Sequence, residues 1–87
     1  MAKKISLSEV ILFDWDEGNL GHIKKHAVEF RECEDLFFNK IIYFEDTKHS
    51  RLEILFLAYG ITNEKRLLTI VFTILNNKDR VVSARVQ

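Results

Sequence analysis

Trp15-Asp16-Glu17-Gly18-Asn19-Leu20-Gly21-His22-Ile23-Lys24-Lys25-His26-Ala27-Val28 is the stretch on which the reading of the chain turns. At about 100° per residue it sets Leu20, Ile23 and Ala27 on one narrow apolar stripe, with Asn19 and His26 along its border and His22 and Lys25 farther round. Asp16 precedes it as an N-cap, its carboxylate suited to the first free N–H groups and to the helix dipole. Gly18 and Gly21 each cost such a helix up to about 1 kcal/mol relative to Ala. The helix is therefore weak alone and must be held by its stripe. A helix that only covered a core would carry Leu, Ala, Glu or Lys at the border, so Asn19, His22 and His26 mark a polar edge that faces something.

Working outward, Val10 to Phe13 reads as a short first strand, and Glu29 to Phe38 as a second helix with Phe30, Cys33 and Phe37 at helical spacing and Glu29, Glu32, Glu34 and Asp35 toward its favourable end. Asn39 and Lys40 make a turn. From Ile41 the period changes. Ile41 to Glu45 is a β-type run, and Asp46 to Ser50 is a polar turn. Leu52 to Tyr59 is apolar on both faces apart from Glu53, as in an inner strand covered on two sides, and Gly60 closes it. Arg66 to Leu75 is a long apolar strand. The last, Arg80 to Val86, places Val81, Ser83 and Arg85 on one face and Arg80, Val82, Ala84 and Val86 on the other. Helices followed by a run of strands imply an α+β fold: a short N-terminal strand, two helices, then a four-stranded, mainly antiparallel meander with the helices on one sheet face.

The 87 residues make a single domain, large enough to build one core without disulfides. Lone Cys33 suits a reducing, cytoplasmic setting, and no signal peptide or membrane span is visible. Lys plus Arg and Asp plus Glu number 13 each, which counts against nucleic-acid binding by bulk charge. The carboxylates concentrate between Glu29 and Glu53, however, whereas Lys24, Lys25, Arg66, Arg80 and Arg85 lie outside that span.

Three blocks in order, Trp15-Asp16-Glu17-Gly18-Asn19 with Lys25-His26 and Val28, then Asp46 with His49-Ser50, then Arg66-Leu67-Leu68 with Val71-Phe72-Thr73 and Val82-Ser83-Ala84-Arg85, resemble the BrnT-like toxins of bacterial type II toxin–antitoxin pairs. The resemblance runs from about Phe13 to Arg85. It implies a RelE-like fold, a ribonuclease activity that needs no metal or other cofactor and halts translation, and neutralisation by a small DNA-binding antitoxin. The resembled family usually continues past the Ser-Ala-Arg motif into a basic helix. The shorter end here leads us to expect exposed apolar surface and a homodimer, and leaves open a non-cleaving homologue that only binds its antitoxin, or an unrelated protein-interaction domain.

Metal-free RNA cleavage needs a base for the 2′-hydroxyl, cations around the phosphate and an acid for the leaving 5′-oxygen. Residue type and resemblance together offer His26 as base or acid, Glu53 as base or as orienter of an Arg, Arg66 and Arg85 as phosphate clamps, and Lys24, Lys25 and Ser83 as RNA contacts. The edge bearing Lys25 and His26 is then expected to meet the sheet face that carries Arg85. Plainer alternatives stand beside each: His26 hydrogen-bonded near Asp14–Asp16, Arg85 paired with a carboxylate, Glu53 a charge that protects a sheet edge. His22 and His26 are half a zinc site, with no ligand-like spacing to Cys33 or His49. Trp15 reads as a core anchor and Cys33 as buried and inert.

Overall fold

A computed structural model of the chain describes residues 12–39, 41–50 and 52–87. Val10 and Ile11 of the expected first strand, and Lys40 of the expected turn, lie outside the described residues. The elements run β1 Leu12–Phe13, α1 Glu17–Lys25, α2 Phe30–Phe38, β2 Ile41–Glu45, β3 Phe56–Ile61, β4 Leu67–Leu75 and β5 Lys78–Val86. They form an α+β unit with two helices and a five-stranded mixed sheet in the order β1-β5-β4-β3-β2. β2 to β5 are consecutive antiparallel neighbours, and β1 adds a fifth strand parallel to β5 at the edge, which the strand pattern alone did not place.

The start of α1 explains one puzzle of its sequence. The Asp16 carboxylate accepts from the Asn19 backbone N–H at 2.9 Å, the Asn19 side chain accepts from the Asp16 N–H at 2.8 Å, and its amide donates to the Asp14 carbonyl at 2.9 Å. Asn19 is buried and its polarity is spent on closing the helix start. It is not part of an outward-facing edge. The helix ends at Lys25, and Ala27 takes a left-handed conformation (φ 59°) that turns the chain toward α2.

Register separates the two sheet faces. Phe56, Ala58 and Gly60 of β3 lie beside Phe72, Ile70 and Leu68 of β4, and those beside Val81, Ala84 and Val86 of β5. This face packs against the helices through Ile23, Val28, Cys33 and Leu36, all essentially without exposure. Gly60 sits inside β3 and does not close it, since a Cβ there would meet the Leu36 side chain at 2.9 Å. Glycine is what lets α2 come this close.

Two further expectations are corrected. Leu52 to Leu55 is a loop and not the start of an inner strand: Leu52 is fully exposed, and the loop is tied down by the Ser50 hydroxyl, which accepts from Leu55 N–H, and by the Thr73 hydroxyl, which donates to the Ile54 carbonyl. In β5 the strict alternation breaks at a bulge, where Val71 lies opposite Ser83 but Phe72 opposite Val81. Val82 is the extra residue, so Val81 joins Ala84 on the buried face while Ser83 and Arg85 face away from the helices.

Candidate active site

The open face of the sheet is built from the alternate positions of four strands. Across it run Phe44, Leu57, Val71 and Ser83 in one row and Ile42, Tyr59, Thr69 and Arg85 in the next. Thr73 and Arg80 form a third row, over which the 52–55 loop is fastened by the 2.8 Å bond from Thr73 to Ile54. The loop that carries Glu53 therefore lies on the same side of the sheet as Ser83 and Arg85. Arg85 is exposed and makes no ion pair among the described residues. Arg80 is instead neutralised, with nitrogens 2.7 Å from Asp16 and 3.4 Å from Asp14. The Asn19 N–H and then Arg80 hold the Asp16 carboxyl below the usual carboxylate range.

His26, Lys24, Lys25 and Arg66 gather elsewhere, at the C-terminal end of α1 on the helix side. His26 caps that helix and its ring meets that of His22 edge-on at 5.4 Å. Arg66 reaches back from the start of β4 to donate to the Ala27 carbonyl at 2.9 Å and to Glu32 at 2.9 Å. Its guanidinium thereby satisfies the turn between the helices and neutralises a carboxylate that is 11% exposed. A groove of about 810 Å³ opens beside it, with Leu20, Ile23 and Val28 in its lining. Lys24, Arg31 and Arg66 line it together with Glu29, Glu32 and Glu64, three cations and three carboxylates.

Arg85 stands on the sheet face turned away from Ile23 and the rest of the core, whereas Lys25 and His26 end α1; Arg80, on the same outward face as Arg85, reaches Asp16 at the start of that helix. Ser83 and Arg85 stand on the open face of β5, with the 52–55 loop fastened to Thr73 of that face, and Lys24, Lys25 and His26 stand at the C-terminal end of α1, where Arg66 reaches the Ala27 carbonyl.

One candidate went unassigned in the sequence reading. In the same loop as Glu53, the His49 ring nitrogen Nδ1 is 2.9 Å from the Asp46 carboxylate while the side chain remains 66% exposed. A carboxylate on one ring nitrogen leaves the other free for proton transfer. The Asp46-x-x-His49 spacing was the available signal, weak because such pairs abound in turns. Among the described residues no three His, Cys, Asp or Glu side chains gather as metal ligands. Trp15 packs on the core and donates its indole N–H to Glu34 at 2.9 Å. Cys33 is buried, which pushes its thiol up to about 12 and leaves no thiolate for chemistry.

No helix among the described residues is long and apolar enough to cross a membrane. No curated protein and no solved structure matches the chain. A family model does match, over residues 15–87, the span that holds both helices, the meander and every candidate residue above; it is that of the ribonuclease toxin, BrnT, of type II toxin–antitoxin systems, and the chain belongs to this family.

Proposed function

We propose that the protein is the toxin of a type II toxin–antitoxin pair: a RelE-like, metal-independent ribonuclease that cleaves RNA in the cytoplasm, inhibits translation and is neutralised by a cognate DNA-binding antitoxin. The observation that carries this reading is the family match across the whole two-helix and meander unit. For the place of the chemistry, the open sheet face is favoured, because there an unpaired arginine, a hydroxyl and a loop carboxylate share one solvent-facing side.

In this reading Arg85 holds the scissile phosphate through paired N–H donors and stabilises the charge that builds on it. Ser83, two residues before it on the same strand face, adds a hydroxyl donor. Glu53 takes the proton of the 2′-hydroxyl as that oxygen attacks phosphorus, and His49, steadied by Asp46, protonates the departing 5′-oxygen. A purified-protein RNA cleavage assay with Glu53→Gln and Arg85→Ala tests it. Loss of cleavage with retained folding is expected; two variants as active as the parent overturn this placement, and a folded parent that leaves RNA intact overturns the ribonuclease reading in favour of an antitoxin-binding homologue.

A second placement keeps the chemistry at the end of α1, with His26 as acid or base, Arg66 at the phosphate and Lys24 and Lys25 along the RNA. It draws on the contact of Arg66 with Ala27, one residue from His26. The ion pair with Glu32 weighs against it, since the cation is already neutralised.

A further inference from the structure

The same open face carries a feature that the cleavage chemistry does not use. Phe44 of β2 and Tyr59 of β3 lie diagonally across neighbouring strands, with ring centroids 5.8 Å apart and planes 27° from parallel. Both are half-buried and turned away from the helices, and Ile42 beside them is 71% exposed. Aromatic rings of a core are covered by the second layer, as Phe37, Phe56 and Phe72 are here. This pair is not. In the same row as Tyr59 stand Thr69 and then Arg85, two strands away at about 4.8 Å per strand. The outward positions of β2 to β5 include the cations Lys78, Arg80 and Arg85 and no carboxylate.

We infer that Phe44 and Tyr59 form a base-stacking platform that seats a nucleotide of single-stranded RNA whose neighbouring phosphate lies on Arg85. The inference rests on the ribonuclease reading and deepens it by naming the form of the substrate. Flat aromatic rings displayed on a sheet, with a cation one nucleotide away, recognise unpaired bases because every base offers a π-face, and a duplex hides those faces. Lys78 and Arg85, which make no ion pair among the described residues, favour a polyanion over an apolar protein segment as the occupant. Substrate choice then depends on strand form first and base identity second.

The test uses the full chain and a ten-nucleotide single strand made cleavage-resistant by 2′-deoxy substitution, carrying 2-aminopurine at one position, whose fluorescence is quenched on stacking. With the parent protein, moving the 2-aminopurine along the strand is expected to show strong quenching at one or two adjacent positions, and a duplex of the same length is expected to bind more weakly. Tyr59→Leu and Phe44→Leu are each expected to weaken single-strand binding about 10-fold or more and to abolish the quenching, whereas Tyr59→Phe keeps both. Circular dichroism and thermal unfolding verify that each variant is folded, and the position scan on the parent stands if a leucine variant is not. Absence of position-dependent quenching, equal affinity for duplex, or leucine variants that bind as the parent does overturns the inference while RNA cleavage by the parent leaves the ribonuclease reading intact. Leucine variants that keep RNA binding but lose the co-expressed antitoxin assign the face to protein docking and likewise overturn it. A parent that neither cleaves nor binds RNA removes the ribonuclease reading and the platform with it.

Discussion

The two faces of the sheet are made by the same strands and carry opposite tasks. On the helix side, Phe72, Ile70, Leu68 and Val81 are fully buried beneath Ile23, Cys33 and Leu36, and Arg66 is tied to Glu32 and a backbone carbonyl. On the open side, Leu57, Tyr59 and Val71 are only half covered and Arg85 has no ionic partner among the described residues. Two arginines near the ends of β4 and β5 thus look alike as residues and differ in what surrounds them. Taking the cation away from a buried carboxylate destabilises the fold, whereas a cation without an ion pair is available to a ligand.

Truncation across the sheet should expose this asymmetry most strongly. Phe72→Ala removes a ring that contacts both Phe37 and Phe56, at 4.9 and 5.4 Å between centroids, and is expected to cost about 3–5 kcal/mol in urea unfolding. Val71→Ala, its neighbour on the open face, is expected to cost about 1 kcal/mol or less because its side chain keeps much of its contact with water. Equal costs would mean that the open face is covered as fully as the other.

The second contrast is between the arginines. Arg85→Ala is expected to lower RNA cleavage about 100- to 1,000-fold, the usual effect of removing one donor from a developing oxyanion, and to leave the unfolding midpoint nearly unchanged. Arg66→Ala should reverse the pattern. It strands Glu32 and the Ala27 carbonyl, costing about 1–2 kcal/mol once the 37% exposure of the Arg66 side chain is discounted, with cleavage by the folded fraction retained. A single-turnover cleavage assay beside an unfolding curve for each variant reads both.

The buried face also contains one group that does not belong there by polarity. Asp79 is fully buried, neither carboxylate oxygen has a hydrogen-bond partner among the described residues, and burial pushes its carboxyl up to about 8. In the unfolded chain the same group titrates near 4. Between those values the folded state holds a proton that the unfolded state has released, so stability falls as pH rises from about 4 to about 8 and is flat on either side. The expected fall is of order a few kcal/mol, and Asp79→Asn is expected to remove that slope. Unfolding curves that run parallel for parent and variant at pH 5 and pH 8 would show that the carboxyl finds a partner or water in solution.

Much of the architecture was legible because it rests on local chemistry. The Asp16 cap, the second helix, read over Glu29 to Phe38 and formed by Phe30–Phe38, the Ile41–Glu45 strand and the four-strand series follow from capping, periodicity and turn residues, and Asn76 and Asn77 supply the two left-handed positions, φ 53° and 62°, of the tight turn between β4 and β5. What escaped was nonlocal. The bulge at Val82 changes which residues share a face without changing composition or period beforehand, and so moved Val81 away from Ser83 and Arg85. Asn19 read as surface polarity because its partners, the Asp14 carbonyl and the Asp16 N–H, are backbone groups that a side-chain pattern does not show. The pairing of Arg66 with Glu32 was not legible because that partner lies 34 residues earlier in the chain.

The smallest expected effect is the one that decides between the two placements of the chemistry. His26 caps α1 and stands edge-on to His22, whereas Arg85 lies on the open face of β5. Replacing it by Ala removes a ring contact and a polar group near a helix C-terminus, together worth less than about 1 kcal/mol. If the open face carries the reaction, His26→Ala cleaves RNA within about twofold of the parent, because the substitution touches neither the phosphate nor the attacking oxygen. If the reaction runs at the helix end, the same substitution removes an acid or base and cleavage drops by about 100-fold or more. Measuring His26→Ala and Arg85→Ala on one RNA under single-turnover conditions therefore assigns the active face: a loss confined to Arg85→Ala places it on the open sheet, a loss confined to His26→Ala at the helix end, and a loss in both puts the phosphate within reach of both side chains.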